Sequence, residues 1–100
     1  MGRRLRLQSE LLQFTPNVYY QPPESVKLTY PCIVYGLSRI VSRYADNKNY
    51  MNHKCYNLTY ISLDPVEDLL QQILNHFKLI RLDRIYTADN LYHYSFVLFY

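Results

Sequence analysis

An α+β fold, with two helices packed on one face of an antiparallel sheet, follows from three observations. Tracts rich in β-branched and aromatic residues recur along the chain, two segments carry apolar residues at helical spacing, and turn-forming residues separate them. Their order predicts α-β-β-β-α-β-β, with a long projecting hairpin between the second and third strands. One hundred residues suit a single domain spanning 1–100. A core of that size leaves a modest margin, so assembly with other chains would add stability.

Residues 3–14 read Arg-Arg-Leu-Arg-Leu-Gln-Ser-Glu-Leu-Leu-Gln-Phe. Leu5, Leu11, Leu12 and Phe14 fall at helical spacing with charges between them, which predicts the first helix. Thr15-Pro16-Asn17 ends it, because proline disfavours helix in the residue before it. Val18, Tyr19 and Tyr20 predict a short strand within Asn17–Gln21. Pro22-Pro23 closes that strand by removing two ladder donors. Glu24 to Thr29 is a loop or a helical turn.

The stretch from Pro31 to Asp64 predicts the long hairpin. Its first arm runs from about Cys32 to Tyr44 and its second from about Lys54 to Leu63. Polarity rises beyond Leu37, which predicts a buried root and a solvated tip. Gly36 in mid-strand predicts a bulge or a close approach. Ten strand residues reach roughly 33 Å at about 3.3 Å each, longer than a small core requires. The connecting loop, Ala45 to Lys54, is long for a hairpin, and Asp46, Asn47, Lys48, Tyr50 and Met51 suit a contact arm. The plain alternative is a solvated loop.

Asp64-Pro65-Val66-Glu67 predicts a helix start. Asp64 can cap, Pro65 fits the first helical position, and Glu67 completes a capping box. Val66, Leu69, Leu70, Ile73, Leu74 and Phe77 then line one face, which predicts a lid over the sheet. Leu79 to Tyr86 and Tyr92 to Tyr100 predict a second hairpin around the turn residues Thr87-Ala88-Asp89-Asn90.

Composition narrows the function classes. Twelve tyrosines and no tryptophan favour half-wet sheet faces and interfaces, because the ring wants burial and the hydroxyl wants a partner. The net charge is +3, with Arg3, Arg4 and Arg6 clustered as a solvated helix start or a contact for nucleic acid. No apolar run reaches signal-peptide or membrane length, which predicts cytosolic synthesis and no membrane. Cys32 and Cys55 stand at opposite ends of the hairpin arms, so free thiols are expected. His53, Cys55, Cys32, His76 and His93 lack the paired spacing of a metal site. Ser38, Ser42, Ser62 and Ser95 have no nucleophile elbow, and Gly2 and Gly36 cannot build a phosphate loop. A non-enzyme without a cofactor is expected.

Four tracts carry a resemblance. They are Asn17-Val18-Tyr19-Tyr20-Gln21-Pro22-Pro23-Glu24-Ser25, Tyr30-Pro31-Cys32-Ile33-Val34-Tyr35, Tyr44-Ala45-Asp46-Asn47-Lys48 and Arg84-Ile85-Tyr86-Thr87-Ala88-Asp89-Asn90-Leu91. Together they resemble the neck and tail proteins of long-tailed bacteriophages, specifically the tail terminator (tail completion) family. The resemblance implies a structural virion protein, made in the host cytoplasm, that forms a hexameric ring on the tail tube. Such a ring ends tube polymerisation and docks the tail to the head connector. The partners implied are the tail tube protein, the head-closure or connector protein, and viral DNA passing through the channel. Head-closure (stopper) and other head–tail joining proteins are the near alternatives, and a small nucleic-acid-binding module is the further one. The contact residues expected are Asp46, Asn47, Lys48, Tyr50 and Met51 in the first loop, and Thr87, Asp89, Asn90 and Leu91 at the second turn. Tyr92, Tyr94 and Tyr100 are weaker candidates. Arg3, Arg4, Arg39 and Arg43 would face neighbours or DNA, with a solvated surface as the plain alternative.

Overall fold

The computed structural model describes residues 3–40 and 54–100. The elements are α1 (Arg3–Leu11), β1 (Val18–Tyr20), β2 (Cys32–Ile40), β3 (Lys54–Ser62), α2 (Asp68–His76), β4 (Ile80–Ala88) and β5 (Leu91–Phe99). This is the expected α+β order. Asp46, Asn47, Lys48, Tyr50, Met51 and Arg43, with the distal part of the first hairpin, lie outside the described residues.

The five strands form one sheet in the order β1-β2-β3-β5-β4. The sheet is mixed rather than wholly antiparallel, because β1 runs parallel to β2. A tight hairpin cannot join parallel neighbours, and the Gln21–Pro31 crossing supplies the return path. Thr15 Oγ1 and Asn17 Nδ2 both donate to the Pro31 carbonyl, at 3.2 and 3.0 Å, and tie the ends of that crossing together.

Alternation along each strand sorts the side chains onto two faces. The first face carries the ladder row Tyr20–Tyr35–Leu58–Phe96–Leu82, flanked by Val18–Ile33–Tyr60–Tyr94 and Leu37–Tyr56–Leu98–Ile80. Both helices deliver their buried side chains here. Leu7 and Leu11 of α1, and Ile73 of α2 with Phe77 just beyond it, join Tyr35, Tyr56, Phe96 and Leu98 in one core. The second face carries Tyr19, Val34, Thr59, Ser95 and Arg84 in one row and Asn57, Val97 and Arg81 in the next. No described helix packs on it.

Several local expectations need correction. Leu5 and Leu12 do not face the core: they are 47% and 46% exposed, and the buried pair is Leu7 and Leu11 at i, i+4. Two apolar stripes share α1, and the sheet selects the one that sits over Tyr35. The second helix begins at Asp68 rather than Pro65, and Glu67 at its N-cap makes no side-chain bond. The Asp64 N–H donates to Ser62 Oγ, and that hydroxyl donates to the Asp64 carbonyl, at 3.2 and 2.8 Å. This tight turn is spent leaving β3, so Asp64 caps nothing. Val66, Leu69, Leu70 and Leu74 still pack against the core.

Gly36 marks a close approach, not the bulge. A Cβ there would stand 2.9 Å from Cγ of Gln21, and the Leu37 N–H donates to Gln21 Oε1 at 3.3 Å. The register shift lies between Leu37 and Arg39, so Arg39 stands opposite Cys55 and leaves the Ile33–Tyr35–Leu37 row. A second shift, between Leu82 and Arg84, keeps Arg81, Arg84 and Tyr86 in ladder positions of the second face. Both cysteines are free and buried, as their separation predicts. No helix among the described residues is long and apolar enough to cross a membrane.

Candidate functional site

Where α1, α2 and the end of β5 converge, the fold leaves a cleft of about 480 Å³. Arg6 and Glu10 come from successive turns of α1, four residues apart and therefore on one side. His76 is the last residue of α2, and Phe77, Lys78 and Leu79 follow it into β4. Leu98, Phe99 and Tyr100 close the remaining wall. The strand ladder fixes this wall, since the Phe99 N–H donates to the Leu79 carbonyl at 2.9 Å and the Tyr100 N–H to the Lys54 carbonyl at 2.9 Å.

Glu10 is the hub. Its Oε1 lies 2.8 Å from His76 Nε2, and its Oε2 accepts a short hydrogen bond from the Tyr100 hydroxyl. Partial burial pushes this carboxyl upward. The bonds from Tyr100 and His76, and the positive charges of His76 and Arg6, outweigh burial and hold it below the ordinary carboxylate range. The His76 ring is held edge-on by Phe14 and Phe77, with centroids 5.5 and 4.7 Å away. Both Glu10 oxygens are thus engaged, and the carboxylate acts as an anchor between the helices and β5. The described lining holds no serine, threonine or cysteine. Arg6 and Lys78 form no ion pair among the described residues, so the cleft presents cationic heads beside apolar walls. That arrangement suits binding of an anionic group.

A second feature lies on the sheet face that no described helix covers. Tyr86 stacks on His93 across the β4–β5 ladder, with centroids 4.8 Å apart and planes 13° from parallel. The Arg84 guanidinium sits 5.0 Å from the Tyr86 centroid. Arg81 shares that face in the ladder. Cys32 lies on the same face but is core in character: burial pushes its thiol up to about 11, which leaves it protonated and inert.

The structure places the sequence-derived candidates unequally. Thr87, Asp89, Asn90 and Leu91 do gather at the β4–β5 turn, where Asp89 and Asn90 take positive φ values of 53° and 63°. Asp and Asn tolerate that region, and a two-residue turn of this hand matches the twist of the strands. Thr87, Asp89 and Asn90 are exposed and Leu91 is half-buried. Arg4 is half-buried, with its guanidinium 4.6 Å from the Tyr20 ring centroid. Arg3 begins α1, and Arg39 lies near the end of β2. Tyr94 is core, its hydroxyl accepting from the Val66 N–H at 3.2 Å. Tyr100 lines the cleft. Sequence reasoning missed Glu10 and the cleft altogether. The one local signal was His76 at a helix C-terminus, where its partner, 66 positions away, could not be read. Comparisons with protein-family models, curated proteins and solved structures return no match to this chain.

Proposed function

We propose that this chain is a non-enzymatic structural subunit of a bacteriophage neck, a tail-terminator-like protein that forms a hexameric ring in the virion. The ring caps the tail tube, ends its polymerisation and docks the tail to the head connector. The resemblance of the four tracts supplies the family. The observation that carries an assembling role is the β4 edge. It is nine residues long, lies at the margin of the sheet, and leaves Ile85 55% exposed on the side the helices cover elsewhere. Long edge strands call for cover, and a neighbouring subunit supplies it. The opposite edge, β1, is three residues long and closed by Pro22-Pro23, so it needs none.

Deleting the gene and imaging the particles tests this reading. Loss of a terminator gives tails of uncontrolled length that do not join heads. Tails of normal length beside unjoined heads would instead assign the chain as a head-closure or other joining protein. Absence of the chain from purified virions, by mass spectrometry, overturns the neck reading.

A second reading has its own observation: Arg81, Arg84 and the Tyr86–His93 stack on an uncovered sheet face. Such a face suits a small nucleic-acid-binding module, in which cations track phosphates and aromatic rings meet bases. It predicts DNA binding that weakens steeply with salt. Undetectable binding at low salt removes it.

A further inference from the structure

Charge is sorted along the long direction of the β4–β5 hairpin. The Ser62–Tyr92 pairing brings the start of α2 to the turn end, so Asp64, Glu67, Asp68 and Asp89 all lie there. The Lys54–Tyr100 pairing marks the other end, where Arg6 and Lys78 line the cleft around the engaged Glu10. Nine-residue strands set the two ends roughly 30 Å apart at about 3.3 Å per residue, so one molecule cannot bring them together.

We infer that the cleft receives the β4–β5 turn of a second copy of this chain, with the Asp89 carboxylate set against Arg6 and Lys78. This rests on the ring reading above and names the contact that would build it. The fit has four parts. The turn is two residues wide, and both Asp89 and Asn90 are exposed at its tip. Asp89 sits exposed at the turn, whereas Asp83 lies in mid-strand between Arg81 and Arg84. The cleft's own carboxylate is hydrogen-bonded to His76 and Tyr100 and feels Arg6 only through charge, and neither Arg6 nor Lys78 forms an ion pair among the described residues, so both can meet an incoming acid. Leu79, exposed on the rim, and Phe99 offer apolar contact to Ala88 and Leu91 of the turn. The two patches differ, so the contact is head-to-tail, and repetition with rotation closes a ring.

Charge reversal tests the contact on the full chain, with native mass spectrometry and light scattering reading the oligomer. Asp89→Lys alone, and Arg6→Asp with Lys78→Asp alone, should each raise the concentration for half-assembly by at least about tenfold. Circular dichroism should show both still folded. Mixing the two variants in equal amounts should restore assembly, because every contact in an alternating ring is again complementary. Assembly that persists in both variants overturns this contact and leaves the ring reading standing. Loss in each variant without recovery on mixing also overturns it. Wild-type protein that stays monomeric at every concentration, alone and with tail tubes, overturns the ring reading and this contact with it.

Discussion

The two faces of this sheet are built from adjacent residues of the same strands, yet they meet different surroundings. On β5, Tyr94, Phe96 and Leu98 are buried beneath helices, while His93, Ser95, Val97 and Phe99 alternate with them and are only half-buried. The covered face has a mass of rings and aliphatic side chains in contact, and its few polar groups are partnered. Tyr35, for example, donates to Gln8 Oε1 at 2.6 Å. The uncovered face keeps polar and cationic groups that a closed core would not tolerate. Most of the buried core lies on the first face, and on the second only Cys32, Cys55 and Ile61 are buried hydrophobics among the described residues.

The largest test of this division is a pair of truncations on neighbouring residues. Phe96→Ala should cost about 3–5 kcal/mol, and Val97→Ala under about 1.5 kcal/mol, in urea unfolding monitored by circular dichroism. Equal costs would mean that the second face is as closely packed as the first. A smaller effect is expected at Gly36, on the uncovered side. Gly36→Ala should cost about 1–3 kcal/mol, because the added methyl meets the Gln21 side chain at 2.9 Å. Truncating Gln21 to Ala in the same chain should recover part of the loss. If it recovers nothing, the approach of Gln21 is not what limits the site.

The smallest effect is expected at Glu10, where the helical layer meets the cleft. The native carboxyl lies below its ordinary range, so the unfolded chain takes up the proton first as the pH falls. The stability Glu10 contributes is therefore complete above the ordinary carboxylate range and is lost as pH drops through the lowered native value. Glu10→Gln should lower stability near neutral pH by less than about 1 kcal/mol, since the His76 pair is partly exposed. It should also flatten the acid limb of the stability profile. An unchanged acid limb would show that Tyr100 and His76 do not favour the charged form.

Much of this architecture was legible in the chain because the signals are local. The alternation of Tyr56, Leu58 and Tyr60, the stripe from Val66 to Phe77, and Asp89-Asn90 at a tight turn each reflect the geometry of a few consecutive residues. The candidate cleft was not legible for the opposite reason. Arg6, Glu10, His76, Lys78 and Tyr100 lie far apart in sequence, and each has an ordinary local explanation. Glu10 reads as a helix charge and His76 as a dipole partner. Nothing in their spacing says that they meet.

By itself, then, the sequence determined the kind and order of the elements, and it placed Thr87, Asp89, Asn90 and Leu91 together at one turn. The tertiary structure decided which of two apolar stripes on α1 is buried, that β1 runs parallel to β2, and that β5 lies between β3 and β4. That last choice brings Tyr100 beside Glu10 and sets the Asp89 turn at the end opposite Arg6 and Lys78. The physical reason is that periodicity fixes which way a side chain points. What it points at depends on which strands pair across long separations, and that is settled by burial summed over the whole sheet.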